Sequence, residues 1–139
     1  MRHPNAVSAA ILLFFVFLAI GSMETEESVQ QDISNAVPTV HVTATQLVDD
    51  YKANEIAADE KYKGEVIVVS GTIESIGTDI WGTMYVTLMT GNPIVSVQCM
   101  FADKYKSQLA NVRRGQYVTI KGRCEGKHLN VLLRGCSFK

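Results

Sequence analysis

The sequence predicts a mainly β domain: a five-stranded Greek-key barrel with one helix before the first strand and another between strands three and four. Three observations predict it. Five stretches within residues 64–138 are rich in β-branched and aromatic residues, most of them alternating with period two. Glycine, proline and asparagine separate these stretches. Apolar residues at helical spacing occur before the first stretch and again between the third and fourth.

In order, Thr43-Ala44-Thr45-Gln46 has the form of a capping box, and Leu47, Val48, Tyr51 and Ile56 continue at helical steps to about Ala58, which reads as one amphipathic helix. Residues 64–77, GEVIVVSGTIESIG, form a long first strand with Gly71 placed for a sharp bend. In strand two Met84, Val86 and Leu88 point inward, Tyr85 and Thr87 outward. Gly91-Asn92-Pro93 turns the chain into strand three, where Val95, Val97, Cys99 and Phe101 alternate with Ser96, Gln98 and Met100. Residues 102–112 carry Tyr105, Leu109 and Val112 at helical spacing and end on Arg113-Arg114-Gly115, cations and a glycine suited to a helix C-terminus. Val118, Ile120 and Gly122 alternate in strand four, and a turn at Gly126-Lys127 leads to Leu129, Val131 and Leu133 in strand five. Three strands, a helix and two strands is the order of the OB-fold. Such a barrel closes its own edges, so a core of Val, Ile and Leu suffices without a metal.

The front of the chain has a different character. Residues 1–21 hold Phe14, Phe15 and Phe17, three of the five phenylalanines, in an uncharged run from Ala6 to Ile20 behind Arg2. The run is shorter than the roughly 20 residues of a spanning helix, and Ala19-Ile20-Gly21 has the form of a cleavage site before Ser22. The expectation is a signal peptide over 1–21, with a retained N-terminal anchor as the alternative. Residues 22–42 are polar and acidic, contain Pro38, and read as a flexible spacer. The OB-fold domain is then 43–139, periplasmic or secreted, with a membrane-anchored form if the leader is retained.

An exported chain with Cys99, Cys124 and Cys136 can form one disulfide and leave one thiol over. No two cysteines have metal-finger spacing, so a zinc site is not expected. A turn at Gly126-Lys127 puts Cys124 opposite Leu129 and Cys136 opposite Tyr117, about 23 Å apart along the sheet. Strands three and five run parallel in an OB-fold, which points to Cys99–Cys136. Three buried, reduced cysteines acting as small apolar residues are the alternative.

Several strings carry a family likeness: VTATQLVDDYKANEIAADEKYKGEVIVVSGTI (42–73), VQCMF (97–101) and RRGQYVTIKGRCEGKHLNVLLRGCSF (113–138). They resemble the tRNA_anti-like family of exported bacterial OB-fold proteins, often lipoproteins. The string from Asn54 to Gly64 is the most specific part, with Gly122-x-Cys124-x-Gly126 and Gly135-Cys136-Ser137 in support. The resemblance implies fold and export and no particular activity. Lipoprotein members carry a lipidated cysteine after a box like Leu18-Ala19-Ile20-Gly21; here that place is Ser22, which cannot form the thioether. The Asn54–Gly64 string has two readings. In one, Asn54 and Asp59 close the helix end and Tyr62 packs over the barrel mouth; in the other, its polar groups hold a ligand.

Catalytic constellations are lacking in the sequence. His3 belongs to the leader, His41 to the spacer and His128 to a turn, and neither a nucleophile-elbow serine nor a phosphate-binding glycine loop occurs. Asp49-Asp50 and Asp59-Glu60 read as solvated helix charge. The expectation is a non-enzymatic module without a cofactor or metal. Charge is polarised: residues 24–60 hold nine acids and one lysine, residues 104–139 nine Lys/Arg and the single acid Glu125. Tyr85 on strand two, Tyr117, Lys121 and Arg123 on strand four, and the loop residues Trp81, Lys127 and His128 are the candidate binding set. Aromatics beside cations suit single-stranded nucleic acid. However, the chain has a net charge of −1, and −2 once Arg2 is lost with the leader, where a nucleic-acid module is usually basic. An envelope protein or a small ligand is therefore the favoured partner, with nucleic acid the alternative. Trp81 can equally plug the barrel end, and Tyr85 and the basic strand can be ordinary solvated surface.

Overall fold

The computed structural model of the protein describes residues 26–139, so the leader and the start of the spacer lie outside the described residues. The elements are α1 (Glu26–Ser34), β1 (Val40–Thr43), α2 (Ala44–Ala53), α3 (Glu55–Tyr62), β2 (Val66–Thr78), β3 (Met84–Leu88) and β4 (Val97–Phe101). A 3-10 turn (Asp103–Tyr105) then leads into α4 (Lys106–Asn111), β5 (Tyr117–His128) and β6 (Asn130–Phe138).

Strands β2 to β6 close the expected five-stranded barrel. β2 is long enough to serve two neighbours: Val66 to Thr72 pair antiparallel with Arg123 to Tyr117 of β5, and Ile73 to Thr78 pair with Leu88 to Met84 of β3. β3 pairs with β4, β4 runs parallel to β6, and β6 returns along β5. The strand coils at a bulge between Ile73 and Ser75. Gly71 serves a close approach: a Cβ there would lie 3.0 Å from the Cβ of Ala44, at the start of α2. Alternation sends Ile67, Val69, Ile73, Val86, Leu88, Val97, Phe101, Ile120, Val131 and Leu133 into one core, each worth about 1.5–3 kcal/mol of burial.

The helix expected from Thr43 to Ala58 is two helices. Thr43 caps α2 by accepting the Gln46 N–H at 3.1 Å. Asn54 adopts extended backbone, donates its N–H to Asp50 O at 3.1 Å and accepts the Ala57 N–H on its side chain at 3.0 Å, ending α2 and starting α3 with one residue.

The segment expected to be a flexible spacer is ordered from Glu26 onward. Val29, Gln30 and Ile33 of α1 are buried against β6, and Val40–Thr43 add a parallel strand to β2 through Val40↔Ile67 to Thr43↔Ser70. The helix docks because Gly135, at φ +63°, has no side chain: a Cβ would stand 2.6 Å from Ile33 Cδ1 and 3.0 Å from Gln30 N. Gln30 Nε2 also donates to Tyr105 Oη at 2.9 Å.

The β5–β6 hairpin turns at Leu129, with φ 69°, rather than at Gly126-Lys127. Gly126 lies inside the strand next to a register shift, and Cys124 faces Leu133. The expected Cys99–Cys136 disulfide is absent, and the three cysteines are buried thiols. Cys99 is in register with Leu133, which leaves Cys136 three residues further along β6, about 10 Å by strand rise and beyond the reach of a disulfide.

Candidate ligand groove

The outward side chains of β2, β3 and β4 share one face. Ser75 pairs with Thr87 in the ladder, Gly77 with Tyr85, Thr87 with Gln98 and Tyr85 with Met100. Gly77 makes room for the tyrosine: a Cβ there would be 3.0 Å from Tyr85 Oη and 3.2 Å from its Cζ, so the ring lies across the glycine. The resulting groove, about 460 Å³, is lined by Ser75, Thr78, Asp79, Ile80, Tyr85, Thr87, Gln98 and Asn130.

Loops stand at both ends of it. In the β2–β3 loop, Asp79 Oδ1 accepts the Trp81 and Thr83 N–H groups at 2.9 and 2.8 Å, fixing a turn that leaves Ile80 and Trp81 88% and 82% exposed. At the other end Asn130, just after the β5–β6 turn, accepts the Ser96 N–H at 2.9 Å and donates to Gln98 Oε1 at 3.1 Å, while Leu129 beside it is 90% exposed. The floor hydroxyls of Ser75 and Thr87 bond each other, and Gln98 Nε2 donates to Met100 Sδ at 3.4 Å. Among the described residues, no Lys or Arg lines the groove.

Of the residues expected to bind, Tyr85 lines this groove, Trp81 is the exposed neighbour of its lining residue Ile80 in the β2–β3 loop, and His128 stands two residues from Asn130, its Nε2 2.9 Å from Glu125 O. Lys127 sits on β5 opposite Val131. The other three lie elsewhere. Lys121 pairs across the ladder with Val68 and Ser137 and donates to Ser34 O, at the end of α1. Arg123 Nη2 lies 3.3 Å from Glu125 Oε1, and Arg134 Nη1 lies 3.8 Å from the same oxygen. Tyr117 is exposed at the start of β5, opposite Thr72. The sequence alone does not single out Ser75, Thr87, Gln98 or Asn130 as groove residues. The signal available for the first three was their outward phase, which is also what ordinary solvated strand residues show.

The Asn54–Gly64 string holds the two helices to each other and to the barrel. Tyr51 Oη donates to Asp59 Oδ1 at 2.9 Å, Tyr62 Oη donates to Asp50, and the two rings stack at 6.2 Å. The Tyr62 hydrogen bond holds the Asp50 carboxyl below the usual carboxylate range against the opposing effect of burial, with help from Gln46 and from Lys61 at 3.7 Å. Burial pushes the Tyr51 hydroxyl and the Cys124 thiol above their ordinary values, so both stay protonated. Gly64 N–H donates to Cys124 O at 2.8 Å and Cys124 N–H to Glu65 O at 2.9 Å, joining this string to β5. Among the described residues no group of three or more His, Cys, Asp or Glu is placed to hold a metal, and no helix is long and apolar enough to cross a membrane.

The fold recurs in solved structures. A protein of Klebsiella pneumoniae subsp. pneumoniae named "putative nucleic acid-binding lipoprotein" superposes with a TM-score of 0.58 at 18% identity, over 70% of this chain and 90% of its own. No curated protein matches the chain. The tRNA_anti-like family model matches residues 1–137, in keeping with the strings at 42–73, 97–101 and 113–138 and with the barrel they build. The chain belongs to the tRNA_anti-like family.

Proposed function

We propose that the protein is an exported, non-enzymatic binding module of the cell envelope that engages its ligand or protein partner across the face between the β2–β3 loop and the β5–β6 turn. One observation carries this reading: an open, hydrogen-bonding groove bounded by the β2–β3 loop, which carries Ile80 and Trp81, and by the β5–β6 turn, which carries Leu129, three large apolar side chains left in solvent. Isolated exposed apolar residues are ordinary, but a set bounding one groove marks an interaction site. Export rests on the charged, apolar and small-residue pattern of residues 1–21, and the lipoprotein name of the Klebsiella structure supports an envelope setting.

Photo-crosslinking in cells tests this reading. A photoreactive residue at position 81 or 129 is expected to give discrete adducts in the envelope fraction, and one at exposed Ala110 is not. Equal adduct patterns from all three positions would overturn it. A second reading, single-stranded nucleic acid, is favoured by the name of the Klebsiella structure and by the exposed Trp81. Against it stand the groove's lack of cations and the engagement of Lys121 and Arg123 by Ser34 and Glu125. It predicts quenching of Trp81 fluorescence by single-stranded oligonucleotides, weakening steeply with salt. Absence of quenching at low salt removes it.

A further inference from the structure

We infer that the α4 end of the barrel is a docking surface for an anionic lipid membrane. This surface is separate from the groove and from any retained leader, and its role goes beyond the proposed function. Residues 103–116, which comprise the 3-10 turn, α4 and the turn into β5, hold Lys104, Lys106, Arg113 and Arg114 against the single acid Asp103. All four cations are exposed, and among the described residues none of them forms an ion pair. The α2–α3 end has the opposite sign: residues 44–65 hold six acids and three lysines. Tyr51 of α2 lies 3.9 Å from Cys124 Sγ, whereas the α4 turn leads into the same strand at Tyr117. About 23 Å of strand lies between, far beyond a Debye length of about 8 Å, so a surface meets the two ends separately. The formal charge of the whole chain is −1, so its total charge does not draw it to an anionic surface and only a region of it can.

Three observations select a membrane as the occupant. The cleft at this end, lined by Gln108, Asn111, Gln116 and Phe138 among others, includes none of the four cations. They are spread over the outer surface, which suits a broad charged plane better than an enclosed anion or a threaded strand. Tyr117, 65% exposed, stands three residues beyond Arg114, and an exposed tyrosine beside cations suits the headgroup layer. The chain also enters the described residues here. Gln30 Nε2 donates to Tyr105 Oη at 2.9 Å, and Lys104 Nζ lies 5.3 Å from the centre of the Tyr105 ring. Glu26 is one helical turn before Gln30, about 6 Å of axis, and the six-residue step back to Ile20 reaches at most about 20 Å. A leader engaged in a membrane therefore holds the barrel close to it beside these cations. Because the contact is with lipid, it yields no discrete protein adduct at Ala110 and is lost in detergent, which disperses the surface charge.

The test is cosedimentation of residues 22–139, which hold every described element, with vesicles of phosphatidylcholine alone and of phosphatidylcholine with about one-third phosphatidylglycerol. Binding is expected on the anionic vesicles at about 0.05 M salt, is lost by about 0.5 M, and is absent on the neutral ones. Each Lys or Arg near an anionic surface contributes about fivefold to partitioning, so Arg113→Gln with Arg114→Gln weakens binding about 25-fold, as does Lys104→Gln with Lys106→Gln. Lys52→Gln with Lys63→Gln changes the net charge equally at the α2–α3 end and leaves binding within about twofold. All six positions are exposed, so the three double variants keep the wild-type melting temperature. Absence of binding to anionic vesicles at low salt overturns the inference, as does equal binding to neutral vesicles or an equal loss from the Lys52 and Lys63 pair. Binding of a thymidine oligonucleotide that requires Arg113 and Arg114, without binding to vesicles, would assign this end to nucleic acid instead.

Discussion

Replacing Gly135 by alanine tests whether the acidic front of the chain is part of the folded domain. Gly135 sits at φ +63°, where a side chain costs about 1–2 kcal/mol, and the new Cβ would stand 2.6 Å from Ile33 Cδ1 and 3.0 Å from both Gln30 N and Val29 Cγ1. Relieving that overlap by shifting α1 costs about 1–3 kcal/mol. Undocking the helix altogether exposes Val29 and Ile33, each worth about 1.5–3 kcal/mol, so it gives no cheaper escape. The expected total is about 3 kcal/mol, which for a domain of this size lowers the melting temperature by roughly 12 °C. Thermal and urea unfolding of Gly135→Ala, alone and combined with Val29→Ala and Ile33→Ala, separates the two contributions. With the helix face trimmed, only the backbone cost of about 1–2 kcal/mol remains, a coupling of about 1–2 kcal/mol. Equal losses in both backgrounds, or a loss below about 0.5 kcal/mol in the full chain, would show that α1 does not pack on β6.

Asn54→Ala removes the side chain that opens α3 and should cost about 1 kcal/mol in urea unfolding; an unchanged midpoint would mean that one continuous helix can form. Because the folded Asp50 carboxyl is held below its ordinary value, its contribution is complete above about pH 4 and is lost as pH falls through the depressed value. Wild type and Asp50→Asn should therefore differ in stability at neutral pH and converge in acid, and a constant difference would contradict the Tyr62–Asp50 bond. Thiol titration should find no fast-reacting group in the native protein and three per chain in denaturant, whereas one per chain would show an oxidised pair.

The barrel is legible in the sequence because its signal is local. Val86 and Leu88 against Tyr85 and Thr87, or Val97, Cys99 and Phe101 against Gln98, declare the inner face by alternation, and the order of elements leaves few topologies. What is not legible depends on distant partners. The apolar signal of α1 is mainly Val29 and Ile33, a single helical turn among acids, and the surface that makes it a helix is a glycine on β6. Leu47, Val48 and Tyr51 run on toward Ala58 without a visible interruption, because Asn54 ends α2 through its backbone conformation rather than by breaking the apolar pattern. The hairpin follows the same logic: Gly126 looks like a turn residue, yet it lies within the strand and Leu129 takes the left-handed turn position. For the groove, the aromatic residues were visible and the polar floor was not. Lys121 and Arg123 point outward as their phase requires, but on β5, where α1 and Glu125 engage them away from Trp81 and Tyr85.

Hydrogen exchange of residues 22–139, with and without detergent-solubilised cell envelope, reads the proposed binding face directly. Added protection is expected only at residues 75–88, 96–100 and 128–132, the β2–β3 loop, the floor strands and the β5–β6 turn. Protection that falls instead on α1 or on residues 104–116, or none anywhere, would contradict it.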